Sequence, residues 1–297
     1  KALQSAITEG QRFEDVRAQA VRAIDRHPAD WVLYANVAQA AARRAGPREA
    51  LAWINRVLVL RPEDGASHVA AARALLRLQQ PAQALGEYKL AWEKGDTASL
   101  ADGLALAVKL DALDRVLLDQ PGHLEALYRL LRNQRDDARA LQLLETAQQF
   151  PPSDAVAEEA NLLRVRHEAE LGSSEAALAA LDALAPEVAN AHDLVMTRVQ
   201  ALTRLGRRDE AAKALERLLN REPSNVSAAL ALSDALGAMN RPAAAREVLQ
   251  RVRPFVSNSA QRSALFQREA ALWLLEGRFP RALDALQSAG YRRGGAR

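Results

Sequence analysis

The sequence predicts an all-α chain of stacked helix-turn-helix units, and three observations carry that prediction. First, intervals recur. "RAGPREALAWINRVLVLRP" (residues 44–62) and "RLGRRDEAAKALERLLNREP" (residues 204–223) each place Glu-Ala, a large apolar residue four positions after that alanine, and a proline eight positions further on. Second, Pro28 and Pro62 stand 34 residues apart, as do Pro152 and Pro186. A proline cannot continue a helix, so each marks the end of a unit. Third, hydrophobic residues make up 49% of the 297 but aromatics only 4%, so the buried surface must come from Leu, Ala and Val, which suit closely packed helices. Self-similarity at this period is the signature of a repeat array, in which length counts stacked units rather than domains.

Taken in order, residues 1–30 read as a partial repeat. Residues 31–96 read as two regular repeats, built on "AQAAARRAGPREALAWI" and "ARALLRLQQPAQALGEY", where a Gly or Pro splits two amphipathic patterns. Residues 97–152 are irregular: Asp96 to Pro121 is 25 residues and Pro121 to Pro152 is 31, so two units have shortened helices or turns. Residues 153–290 read as four repeats, including "VQALTRLGRRDEAAKAL", "SDALGAMNRPAAAREVL" and "EAALWLLEGRFPRALDAL", with a longer connection at "PEVANAHD". Residues 291–297 read as a frayed end, and the whole as a single solenoid. Small residues recur where two antiparallel helices must meet, as in the pairs Ala38 and Ala50, Ala72 and Ala84, and Ala270 and Ala282.

This pattern resembles the tetratricopeptide repeat (TPR) family, whose units carry a small residue in the first helix, an alanine opening the second, a large residue four positions later, a second small residue and a terminal proline. Ala38, Ala50, Ile54, Val57 and Pro62 match those places, then Ala72, Ala84, Tyr88 and Ala91, with Asp96 where proline would stand. Val199, Ala211, Leu215, Leu218 and Pro223 follow, then Ser233, Ala245, Leu249 and Val252, and finally Ala270, Ala282, Leu286 and Ala289. The resemblance implies a right-handed superhelical solenoid of about eight units.

Catalytic and metal-binding constellations are not written in the sequence. Its five histidines (His27, His68, His123, His167, His192) have no metal-ligand spacing and read as solvated helix-surface residues. The adjacent pairs Asp136-Asp137 and Glu158-Glu159 point to different faces of a helix and do not converge. Asn225-Val226-Ser227 matches a glycosylation acceptor, though a helix start after Pro223 explains it more simply. The tryptophans Trp31, Trp53, Trp92 and Trp273 read as packing residues. No cysteine, metal site or cofactor motif occurs, so the expectation is a non-enzyme that needs no cofactor. Forty Lys and Arg against 37 Asp and Glu leave a net charge of only +3, too little for a phosphate-tracking surface, so nucleic acid is not the expected partner. No apolar run is long enough to span a membrane.

By the TPR resemblance, function lies in a concave groove lined by the first helices. Its family positions fall on Ala35, Gln39 and Arg43; on Val69, Arg73 and Arg77; on Glu159, Leu163 and His167; on Met196, Gln200 and Arg204; and on Leu230 and Asp234. Arg43, Arg73, Arg77 and Arg204 would make parts of that groove basic, suiting an acidic protein segment. The expected function is a protein-protein interaction scaffold, acting as a monomer or weak dimer. The Ala-, Leu- and Arg-rich repeats look like the periplasmic TPR regions of bacterial exopolysaccharide export proteins, the Pel-type secretion porins in particular. That likeness implies a polysaccharide-modifying enzyme as partner, a periplasmic location, and a chain that is a segment of a longer protein. Two alternatives stand beside it, a cytosolic TPR regulator or co-chaperone binding a peptide, and a solenoid touching polysaccharide directly.

Overall fold

A computed structural model describes residues 12–290. The expected frayed C-terminus and the start of the partial repeat lie outside the described residues. Seventeen α-helices and two 3-10 turns make up the regular structure of the described residues. The chain divides within a helix, at Ala160 and Asn161, into two compact units.

In the first unit, α1 (Phe13–Ile24) precedes two full pairs, α2 (Trp31–Arg44) with α3 (Pro47–Leu60) and α4 (Gly65–Arg77) with α5 (Pro81–Glu93). α6 (Leu100–Lys109) comes next, then α7 (His123–Asn133) with α8 (Asp137–Gln149), and α9 (Asp154–Glu170) contains the division. The irregular stretch has a simple cause: after α6 the second helix of the unit is reduced to a 3-10 turn, Leu113–Val116. Leu113, Val116, Leu117 and Leu118 are still buried there, so this short segment seals the core that a full helix covers elsewhere. α7 and α8 restore the regular pair.

The second unit holds α10 (Ser174–Asp182), a short α11 (Pro186–Ala189) in the long connection, then α12 (His192–Arg204) with α13 (Arg208–Arg221). α14 (Val226–Ala238) with α15 (Pro242–Val252), and α16 (Ser259–Leu275) with α17 (Phe279–Ser288), complete it.

The same local devices are written again and again. An Asp, Asn or Ser side chain caps the first helices by accepting a backbone N–H: Asp64 from Ser67, Asn225 from Ala228, Asn258 from Gln261. The Asn225 triplet is therefore a helix cap. Six of the turns that follow a first helix share one residue in the left-handed region, Gln79, Asp111, Arg135, Gly206, Asn240 or Gly277. The next residue donates its N–H to a carbonyl five positions back, as Gln80 to Leu75, Arg207 to Leu202 and Arg241 to Leu236. That is the Schellman closure, which satisfies carbonyls a helix end would otherwise orphan. Thirty-four-residue periodicity extends to tertiary bonds, since the Tyr34 hydroxyl donates to the Pro28 carbonyl at 3.0 Å and the His68 Nε2 stands 3.2 Å from the Pro62 carbonyl.

Each unit has its own apolar core. Ala38, Ala50, Ala72, Ala84, Ala270 and Ala282 are all buried, so the small residues do sit where paired helices touch. Val37, Ile54 and Val57 anchor the first core, and Leu181, Leu215, Leu218 and Leu232 the second. Burying each such side chain stabilises by about 1.5–3 kcal/mol. Trp53 and Trp92 are core residues. The reading of the histidines as surface residues is corrected for His68, His123 and His167, which are buried. His68 and His123 occupy the start of a first helix, where a ring nitrogen reaches a carbonyl of the preceding segment, Pro62 or Val116. His68 also pairs through Nδ1 with the Glu87 carboxylate at 2.7 Å, and neither a backbone carbonyl nor a side chain 19 residues away shows in polar periodicity.

Candidate functional site

In the first unit, residues of α2, α3 and α4 line a groove with a cavity of about 620 Å³. Small side chains open it: Ala35, Ala42, Ala66, Ala70 and Ala74 stand where larger residues would fill the space. Ile54, Val57 and Val69 give it an apolar floor, and Trp31 stands at one edge. The Arg61 guanidinium lies 4.8 Å from the centre of the Trp31 ring, a stacking contact that steadies the indole. Asn36, Gln39, Asp64 and Ser67 supply polar groups along the walls. An apolar trough with a few directional polar groups fits a peptide or helix with an apolar face.

Of the residues expected to line a groove, Gln39, Val69, Arg73 and Arg77 come together here, with Ala35. Arg43 is exposed and stands outside that lining. Of the remaining positions Glu159 falls at the end of the first unit and the others in the second, and none lines a comparable opening. Met196 and Leu230 are partly buried against that unit's core. Gln200 and Arg204 share a crevice of only about 10 Å³ with Glu168 and Thr197, too small for a ligand side chain. Asp234 accepts from the Arg268 guanidinium at 2.9 Å. Glu159 accepts the Glu125 backbone N–H at 3.1 Å, while Leu163 and His167 are buried.

Three of the arginines expected to make the groove basic are engaged within the chain, one by a carboxylate and two by main-chain carbonyls. Arg73 of α4 pairs with Asp102 of α6 at 3.2 Å, and this bond is the main reason its guanidinium is held above its ordinary pKa. Arg77 reaches back 35 residues to donate to the Ala42 carbonyl at 3.0 Å, near the C-terminal end of α2. Arg204 makes the equivalent reach to the Ala169 carbonyl in the second unit, at 3.5 Å. A cation at a helix C-terminus is favoured by the exposed carbonyls and the helix dipole. These arginines therefore tie successive first helices together, a role that linear spacing did not show because the acceptors are main-chain atoms. Trp31, Asn36, Ala66 and Ala70 were missed as lining residues. For Ala66 and Ala70 the signal was the small-residue pattern of the first helices, which sequence reading assigned wholly to helix contacts, whereas Trp31 reads in sequence as a packing residue and Asn36 carries no signal.

Electrostatic perturbation elsewhere is modest. Burial lowers the His123 pKa, opposed by its bond to the Val116 carbonyl at 2.9 Å. Tyr88 is pushed up by burial, with Asp102 adding to it and Arg73 opposing. Among the described residues no group of three His, Cys, Asp or Glu is placed to hold a metal ion, and no helix is long and apolar enough to cross a membrane.

Comparison with known proteins agrees with this architecture. Residues 202–268, from the end of α12 into α16, match the tetratricopeptide repeat family model. Among curated proteins none matches the chain by sequence. Of solved structures, the C-terminal part of a TPR repeat-containing protein from Cytophaga hutchinsonii is similar at a TM-score of 0.52 and 10% identity, covering 88% of this chain and 94% of that one. A Naa15/Naa10 structure with bound HypK-THB gives a TM-score of 0.40 at 17% identity, covering 98% of this chain, which spans 54% of the other. A tetratricopeptide repeat protein from Parabacteroides merdae gives 0.37 at 14% identity, covering 88% of this chain and 92% of that one. The fold is thus all-α and built of TPR-like helix-turn-helix repeats, with the sequence of residues 202–268 matching the tetratricopeptide repeat itself.

Proposed function

We propose that this chain is a non-catalytic protein-binding scaffold whose first unit receives a partner segment in the groove between α2 and α4. The observation that carries this reading is the 620 Å³ trough with an apolar floor and a wall of alanines. Its arginines serve the scaffold's own helices, so apolar contact supplies most of the affinity and polar groups set the register. The finer reading is recruitment of a polysaccharide-modifying enzyme to exopolysaccharide export in the bacterial periplasm. Its support is the likeness of these repeats to the TPR regions of such export proteins.

Ala70 lies exposed on α4 within the groove, so Ala70→Trp fills the trough without entering the core. A partner captured from periplasmic extract by the wild-type chain is expected to be lost with Ala70→Trp while the helical circular dichroism is unchanged. Equal capture by both proteins refutes the groove. For the finer reading, an alkaline phosphatase fusion to the full-length gene product is expected to be active, and an inactive fusion refutes the periplasmic assignment.

A further inference from the structure

The second unit carries a different surface, on the side built by the second helices. Two adjoining cavities of about 420 and 270 Å³ run along α13, between it and α10 and the connection before α12. Both are lined by Arg198, Ala214 and Arg217. Five cationic side chains border the pair of cavities against two carboxylates.

The two carboxylates are already engaged. Asp182 accepts from Arg198, and Glu210 takes both forks of Arg207 at 2.6 Å. That leaves Lys213, Arg217 and Arg221 on α13, and only Arg221 has a close acceptor, the neutral Asn190 carbonyl at 2.8 Å. Lys213 feels Glu210 only through space. These three residues stand at positions i, i+4 and i+8, one face of the helix, in steps of about 6 Å. Like charges so placed repel one another, a cost that an anionic partner would remove.

The spread of the row decides what fits it. Over about 12 Å the three cations cannot converge on one small anion. Carboxylates on one face of a helix recur at the same 6 Å step, and those on alternate residues of an extended segment at about 6.6 Å. No aromatic residue lines either cavity, so a nucleic acid has nothing to stack on. Leu178, Leu202 and Val195 lie on the floor, where they offer purchase to an apolar side chain that a polysaccharide or nucleic acid lacks. We propose that this cleft is a second docking surface, for an acidic segment of a protein partner whose carboxylates recur about every 6 Å beside apolar residues.

The probe is a fluorescein-labelled helical peptide with Glu at every fourth position and Leu beside each, compared by anisotropy with its Gln counterpart. The Glu peptide is expected to bind the full chain and the Gln peptide to bind at least about tenfold more weakly. Lys213→Glu with Arg217→Glu, both exposed and outside the core, is expected to weaken the Glu peptide by about tenfold or more with unchanged circular dichroism. High salt is expected to do the same, because the screening length falls from about 10 Å at 0.1 M to about 3 Å at 1 M. The groove-filling Ala70→Trp variant should leave this binding intact, which separates the cleft from the groove of the first unit. The proposal is overturned if the Glu peptide does not bind, if the Gln peptide binds as well, or if the charge reversal changes nothing. It is equally overturned if a single-stranded oligonucleotide or polygalacturonate binds more tightly than the peptide and is lost in the same variant.

Discussion

Two helical glycines, given the same substitution, should move stability in opposite directions. Gly103 lies in α6 with its Cα turned toward Trp92, and a Cβ there would stand 2.2 Å from the Trp92 Cζ2, 2.8 Å from Cη2 and 3.1 Å from the Tyr88 Cβ. Ordinary carbon contacts are about 3.5–4.0 Å, so the methyl intrudes by more than about 1 Å. The indole has little freedom to yield. It is buried, its Nε1–H donates to the Ser99 Oγ at 3.1 Å, and it packs against the rings of Tyr88 and His123 with centroids 6.4 and 5.6 Å away. Overpacking of this kind costs about 1–3 kcal/mol, while replacing a helical glycine by alanine returns about 1 kcal/mol. With the indole held this firmly the cost lies in the upper part of that range, so Gly103→Ala should destabilise by up to about 2 kcal/mol. Gly86 in α5 is exposed and a Cβ there meets nothing within 4 Å, so Gly86→Ala should stabilise by about 1 kcal/mol. Urea unfolding followed by circular dichroism measures both, and the midpoints should move to opposite sides of the wild type. If both variants shift the midpoint upward alike, the tight seat of Gly103 against Trp92 is wrong.

Further expectations rest on single residues. Ser233 is fully buried with its hydroxyl unpaired, at a repeat position where Ala38, Ala72 and Ala270 are alanine, so Ser233→Ala should stabilise by about 1 kcal/mol; an unchanged or lower Tm counts against it. Gln79 sits at φ 59° in a turn whose equivalents include Gly206 and Gly277, and Gln79→Gly should raise Tm by relieving a strain of about 1 kcal/mol. Burial lowers the folded-state pKa of His123, with Lys89 adding to the effect and Glu159 opposing it. The unfolded chain then takes up the proton first as pH falls through about 6.5, so His123 contributes stability that is present at neutral pH and lost below it. The difference in unfolding free energy between wild type and His123→Gln should shrink from pH 7 to pH 5, and a constant difference refutes this.

The repeat architecture was legible because it rests on local rules. Proline stops, alanine pairs and amphipathic spacing act within a few residues of themselves, so the units around Ala50, Ala84, Ala211 and Ala282 stand out in the linear text. The Asp64 and Asn225 caps and the Gly206 and Gly277 turns are local in the same sense. What the sequence by itself determined is therefore the class of fold and the two-helix grammar of its units. Only the tertiary structure decided where along the first helices an opening of useful size lies. Both units have the same family positions, yet α2 and α4 leave a trough while the crevice at Gln200 and Arg204 is nearly shut. That outcome depends on how many side chains from three helices pack together, which no single spacing encodes. The arginines make the same point: Arg77 and Arg204 each reach about one repeat back for a main-chain carbonyl, and Arg73 reaches forward to Asp102. A carbonyl is present at every residue and so leaves no mark in the sequence. Charge written along the first helices thus went into holding the array together, and the uncommitted charge of Lys213 and Arg217 emerged on a second helix, where only the packed structure showed which carboxylates were already taken.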